Sequence, residues 1–186
     1  MTVRAVAWGL AAAGAVAVAI VSRRSLRHPT SHGFFRFFAF VAILAVLALA
    51  VPHWLERPWC ARQLASWVLL FGSIYPAVQG FRLLRGRGRP RPPDPGTGLL
   101  AFENTSSLVT AGIYRRIRHP MYASLLLLAW GAVLKSPSVP ALGLALVAAA
   151  ALVATAKAEE GENLARFGAE YRDYMRRTTR FVPFIC

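Results

Sequence analysis

Carboxylates are scarce in this 186-residue chain: 8 Asp and Glu stand against 22 Lys and Arg, a formal net charge of +14. Charge of either sign is thin, at 16% of residues, where an ordinary soluble domain carries ~25%. A water-filled surface is therefore not what this composition is built for. Cysteine is almost missing too. Neither Cys60 nor Cys186 belongs to a Cys-x-x-Cys or Cys/His spacing, so no metal site is expected. No residue follows Cys186 in this sequence, so it is not expected to start a prenylation box, which needs three more. His28, His32 and His53 stand alone near the ends of apolar blocks. Without ligand spacing around them they read as interfacial residues.

Apolar residues make up 56% of the chain, and they arrive in long blocks that a soluble core does not need. One block runs from about Ala5 to Val21, a second from Phe34 to Val51, a third from Leu64 to Leu84. Each approaches the ~20 residues that cross a ~30 Å hydrocarbon layer. The first is too long for a signal-peptide core, and Arg23, Arg24 and Arg27 follow it instead of preceding it, so it is expected to be retained. Pro76 is placed to kink the third helix. Trp54, Trp59 and Trp67 gather around the connection before it, as in an interfacial aromatic belt. The phenylalanines from Phe34 to Phe40 are expected to face lipid and neighbouring helices.

Residues 85–98 read RGRGRPRPPDPGTG, too rich in Pro and Gly for a helix. This loop divides three N-terminal helices in residues 1–84 from a second region, residues 99–186. There Leu99 to His119 reads as an amphipathic surface segment, with Glu103 and Asn104 as ordinary surface residues. Pro120 suits the first turn of a helix, which is expected to run to Leu134. Lys135 to Pro140 makes a turn, and a last apolar helix covers Ala141 to Thr155. The pair forms a helical hairpin over about 120–156. From Lys157 to Arg177 a cytosolic amphipathic helix is expected. Glu160, Leu164, Phe167, Tyr171 and Tyr174 share its inner face, and Glu162–Arg166 and Asp173–Arg177 pair on its surface.

The fold class that follows is an all-α integral membrane protein with about five transmembrane helices. Five crossings leave Arg4, Arg57, Arg62 and Lys135 on one side and all other Lys and Arg on the opposite one, which the positive-inside rule makes cytoplasmic. The basic excess thus reads as topology and attraction to anionic lipid, and nucleic-acid binding is not expected.

Two polar clusters end the hairpin arms on that side: GIYRRIRHPMY from Gly112 to Tyr122, and the Glu159-Glu160 pair with the residues after it. An acidic pair at the end of an apolar helix is costly unless partnered. Packed helices lie 8–10 Å apart, so Arg118 and His119 come within reach of it. A charge latch closing the hairpin is the plainest reading.

GIYRRIRHPMYAS, residues 112–124, resembles the G-P-Y-x-x-x-R-H-P-x-Y segment of the isoprenylcysteine carboxyl methyltransferases and their phospholipid N-methyltransferase relatives. EEGENLARFGAEYRDYMRRTTRFVPF, residues 159–184, resembles the closing segment of the same family. Together they cover about Leu99 to Phe184. Ile113 stands in place of the family's proline, Gly161 in place of a frequent arginine, and Asn163 in place of an apolar residue. The resemblance implies S-adenosylmethionine bound at the cytoplasmic face, with a lipophilic acceptor arriving from the bilayer; the Ala/Arg-rich composition is that expected of a bacterial inner-membrane protein. It marks His119, Tyr122, Glu159 and Glu160 as cofactor-site positions, with Tyr114 and Tyr171 as aromatic neighbours, and Arg118 as the residue that orients an acidic acceptor group. Methyl transfer by in-line displacement is the expected reaction. An NADPH-dependent sterol-reductase-like enzyme, which shares a related RHP-x-Y segment, and a non-catalytic membrane scaffold are the alternatives.

Overall fold

A computed structural model describes residues 2–89 and 105–182. Among these it is helical, with an isolated parallel bridge from Ile117 to Thr179 and no named strand. The helices are α1 (Val3–Ser22), α2 (His32–Ala50), α3 (Ala61–Arg87), α4 (Pro120–Lys135), α5 (Val139–Phe167) and α6 (Ala169–Arg177). Four of them, with α2 extended to His53, are long and apolar enough to cross a membrane: α1, α2, α3 and α5. α4 has 16 residues, about 24 Å at 1.5 Å per residue.

Capping fixes the starts. Thr2, Ser31 and Ser138 accept from the backbone N–H three residues on, at Ala5, Phe34 and Ala141, satisfying donors that have no intrahelical partner. Pro120 opens α4 in the position where its missing N–H costs nothing. Pro76 lies inside α3.

α3 packs chiefly on α4, α2 on α5 and α1 on α2. Glycines let α3 and α4 approach. A Cβ on Gly80 would sit 2.9 Å from Met121 Cγ, and one on Gly131 would sit 2.9 Å from Leu70 Cγ and 3.2 Å from Leu70 N. Beside that contact the Ser66 hydroxyl donates to the Gly131 carbonyl at 2.6 Å. Small residues at the contact are how helices pack where water supplies no drive. The core joins α2, α4 and α5 through Ala39, Ala42, Ile43, Ala129, Ala148 and Leu152, all buried.

Polar contacts gather at the two ends of the bundle. At one end Lys135 Nζ donates to Gln63 Oε1 at 2.8 Å and lies 3.4 Å from the centre of the Trp67 ring, while Arg62 donates to the Leu134 and Lys135 carbonyls. Trp54 packs edge-on to Trp67, and Trp59 stays exposed. At the other end His32 meets Glu162, and Arg118 and His119 meet the Glu159-Glu160 pair.

Several boundaries differ from the sequence reading. α3 continues through Arg87, so residues 85–87 of the expected loop are helical; residues 90–98 of that loop, like Glu103, Asn104, Pro183, Phe184 and Cys186, lie outside the described residues. The apolar helix continues out past Thr155 as α5, but it runs only to Phe167 and not to Arg177; the break comes at Gly168, whose φ of +58° a glycine adopts without steric cost. Glu162 is taken by His32 rather than Arg166, because α2 lies against α5 there; Arg166 instead donates to the Thr105 carbonyl. Arg177 reaches the backbone oxygen of Asp173, and Arg176 takes its carboxylate at 3.5 Å.

Candidate functional site

The segment before α4 is built to present its side chains. Gly112, at φ +60°, starts a 3-10 turn through Arg115. The backbone then runs beside the residues after α6. Arg118 N donates to Thr179 O at 2.9 Å, His119 N to Arg180 O at 3.0 Å, and Thr179 N to Arg116 O at 3.0 Å. Two stretches some sixty residues apart in sequence are thereby pinned together over the end of α5.

Glu160 is the centre of the cluster. Its carboxylate accepts from Arg118 Nε at 2.8 Å, from Arg180 Nε at 3.2 Å and from Arg180 Nη2 at 2.7 Å. His119 Nε2 lies 3.4 Å away, inside ion-pair range but outside hydrogen-bond geometry, so this buried nitrogen has no hydrogen-bond partner. Arg118 is committed elsewhere as well: its Nη1 donates to the Met175 and Thr178 carbonyls and to the Thr178 hydroxyl. The Glu160 carboxylate pushes the Arg180 guanidinium's pKa up.

Glu159, one residue earlier, has different company. It accepts a 2.7 Å bond from the Tyr122 hydroxyl and lies 3.6 Å from His119 Nδ1. Its side chain is 31% exposed, against 6% for Glu160. The His119 ring stacks on Tyr122, with centroids 5.4 Å apart and planes 12° from parallel, while Phe181 packs against it at 6.2 Å.

A cleft opens here, lined among others by Tyr114, His119, Tyr122, Glu159, Asn163 and Tyr171. Arg118 also borders it, whereas Glu160 does not. Tyr174 closes its floor and donates to the Tyr114 carbonyl at 2.7 Å. Burial pushes the Tyr114, Tyr171 and Tyr174 hydroxyls well above the ordinary phenol range, with neighbouring Glu159 adding to the first two. All three are neutral aromatic walls. The enclosed part of the cleft holds only about 80 Å³, so a cofactor would have to occupy its open mouth or part the side chains that close it. Among the described residues no group of three His, Cys, Asp or Glu is arranged to hold a metal ion.

The structure thus brings together every residue singled out from the sequence: Tyr114, Arg118, His119, Tyr122, Glu159, Glu160 and Tyr171. Arg180, Asn163 and Tyr174, from the second cluster and the segment after it, join them. Arg180 belonged to the second cluster by position alone; its bidentate contact depends on the chain turning back after α6, which no local pattern announces. The His32–Glu162 pair, at 2.7 Å, was also missed, because the two residues lie 130 positions apart.

On the far side of the 112–123 segment lies a second, larger cavity of about 1070 Å³ between α3 and α4. Leu69, Gly72, Leu126, Leu127 and Trp130 line it, with Arg115 and Arg116 at one end.

Residues 94–172 match a family model described as phospholipid methyltransferase. No curated protein and no solved structure gives a significant match.

Proposed function

With residues 94–172 a phospholipid methyltransferase family segment of an integral membrane protein, we propose that the chain transfers a methyl group from S-adenosylmethionine to a lipophilic acceptor. The site is the cleft beside Glu159, on the cytoplasmic side. Orientation rests on charge: Arg23, Arg24, Arg27, Arg85 and Arg87 sit at helix ends shared with the cleft, as the positive-inside rule requires of the cytoplasmic face. α4 then makes a fifth crossing, since its two ends meet partners at both polar ends of the bundle.

The observation that carries this reading is the different placement of two adjacent carboxylates. Glu160 is closed in by two arginines, whereas Glu159 faces the cleft with one phenol bound to it. S-adenosylmethionine would bring a methyl group on a cationic sulfur, together with an ammonium and a carboxylate. Glu159 is the anion available to the ammonium by a charge-assisted bond. His119, which lines the cleft with its Nδ1 3.6 Å from Glu159, is the donor available to a carboxylate. Tyr114, Tyr122 and Tyr171 supply neutral aromatic surface for an adenine ring or a cationic sulfur. Arg118 acts as a positioning residue: by holding Glu160 and three oxygens around α6 it fixes the segment that presents His119. An acceptor that is already a carboxylate or thiolate needs no base. The chain's contribution is then orientation and exclusion of water.

Purified protein incubated with methyl-labelled S-adenosylmethionine and a total lipid extract is expected to move label into the organic phase. Glu159→Gln is expected to slow that transfer at least about tenfold at low cofactor concentration, the 1.4 kcal/mol of one weakened charge-assisted contact. Label that stays in the aqueous phase with wild-type protein would contradict the proposal.

A further inference from the structure

The cavity between α3 and α4 has a chemistry of its own. Its walls are apolar: Leu69, Leu126, Leu127 and Trp130 from the two helices, Ile117 and Phe181 from the segments that cross their ends. At about 1070 Å³ it exceeds the 300–1,000 Å³ of common small-ligand pockets. At its cytoplasmic end stand Arg115 and Arg116, both exposed. No carboxylate lines the cavity, and neither arginine makes an ion pair among the described residues. Arg118, three positions on, is by contrast committed to Glu160 and to backbone oxygens.

An apolar trough between membrane helices that ends in two exposed guanidinium groups is complementary to an amphiphile with a hydrocarbon tail and an anionic headgroup. The tail passes from bilayer hydrocarbon to an equally apolar wall, so it supplies shape fit and little net transfer energy. The arginines, suited to bidentate contact with phosphate or carboxylate oxygens, supply the selection. We propose that this cavity binds a membrane lipid of net negative charge, its headgroup on Arg115 and Arg116 and a chain against Leu126, Leu127 and Trp130. Phe181 lines the cavity and also packs on His119, so it stands as the partition between bound lipid and the donor cleft. As a statement about the methyl acceptor this rests on the function proposed above; as a statement about lipid binding it does not.

The test uses the full chain in nanodiscs containing equal parts of dioleoylphosphatidylglycerol and dioleoylphosphatidylcholine, ejected intact into a native mass spectrometer. Wild-type protein is expected to retain phosphatidylglycerol over phosphatidylcholine by about fivefold or more. The double variant Arg115→Gln/Arg116→Gln should lose that preference, and Leu126→Trp, which fills the trough, should reduce retention of either lipid. Arg85→Gln/Arg87→Gln, which removes the same charge from the end of α3 outside the cavity, should leave the preference unchanged. Equal retention of both lipids by wild type, or equal loss of preference in the two double variants, would overturn the assignment. Because retention is read without methyl transfer, a protein that selects phosphatidylglycerol but binds no S-adenosylmethionine would preserve this inference while removing the function.

Discussion

Glu159 and Glu160 are chemically the same residue, and their surroundings give them different work. Glu160 points into the junction with Arg118 and Arg180 and loses contact with water, while Glu159 points out beside Tyr122. The same end of the molecule buries three phenols, and their titration gives a prediction. Tyr114, Tyr171 and Tyr174 have folded-state pKa values raised above the ordinary 10.0. The folded state therefore holds these protons more tightly than the unfolded one. Their contribution is complete below pH 10 and is lost as the pH rises toward the folded values, at up to 1.4 kcal/mol per pH unit for each tyrosine. The melting temperature is expected to be flat from pH 8 to 9.5 and to fall steeply from 10 to 11.5. Tyr174→Phe should make that fall shallower by roughly a third, one of the three groups being gone. An equal slope in both proteins would show that these phenols do not control it. At this scale the sequence was informative because RHP-x-Y and Glu-Glu are local strings. The Arg180–Glu160 and His32–Glu162 contacts were not legible, because only the packed helices create them.

Among the helices, apolar block length, with Pro120 as a start signal, foretold α1, α2, α3, α4 and the start of α5 to within a few positions. The misjudged ends have a common cause. Sequence polarity changes at Lys157, but the backbone has no reason to stop a helix there, since Ala158 to Phe167 contains good helix formers; the break waits for Gly168. Glycines were equally hard to interpret without neighbours. Gly131 lies against Leu70, with backbone N only 3.2 Å from where a Cβ would be, whereas Gly143 has nothing within 4 Å. Gly131→Ala is therefore expected to push α3 from α4 and to lower stability by about 1–3 kcal/mol, the usual cost of overpacking. Gly143→Ala is expected to be neutral or to stabilise by up to about 1 kcal/mol through helix propensity. Thermal unfolding of the two variants in the same detergent decides it. Similar behaviour of both would mean that α3 and α4 are not in close contact at Gly131.

At the scale of the whole molecule, two spaces lie back to back across residues 112–123: a polar cleft closed by Tyr122 and Glu159, and an apolar trough between α3 and α4. A latch alone would account for the Glu160 junction. It would not call for a second carboxylate facing a cleft, most of whose lining falls within the residues matched by the family model. Isothermal titration of S-adenosylmethionine into purified wild-type, Glu159→Gln and Glu160→Gln protein, with NADPH as the competing ligand, separates these readings. The expected result is saturable binding of S-adenosylmethionine and none of NADPH. Glu159→Gln should weaken affinity at least about tenfold with little change in melting temperature, and Glu160→Gln should lose stability by on the order of 3 kcal/mol, as broken buried ion pairs do. Binding of NADPH alone, or an affinity for S-adenosylmethionine that Glu159→Gln leaves untouched, would contradict the assignment of the cleft.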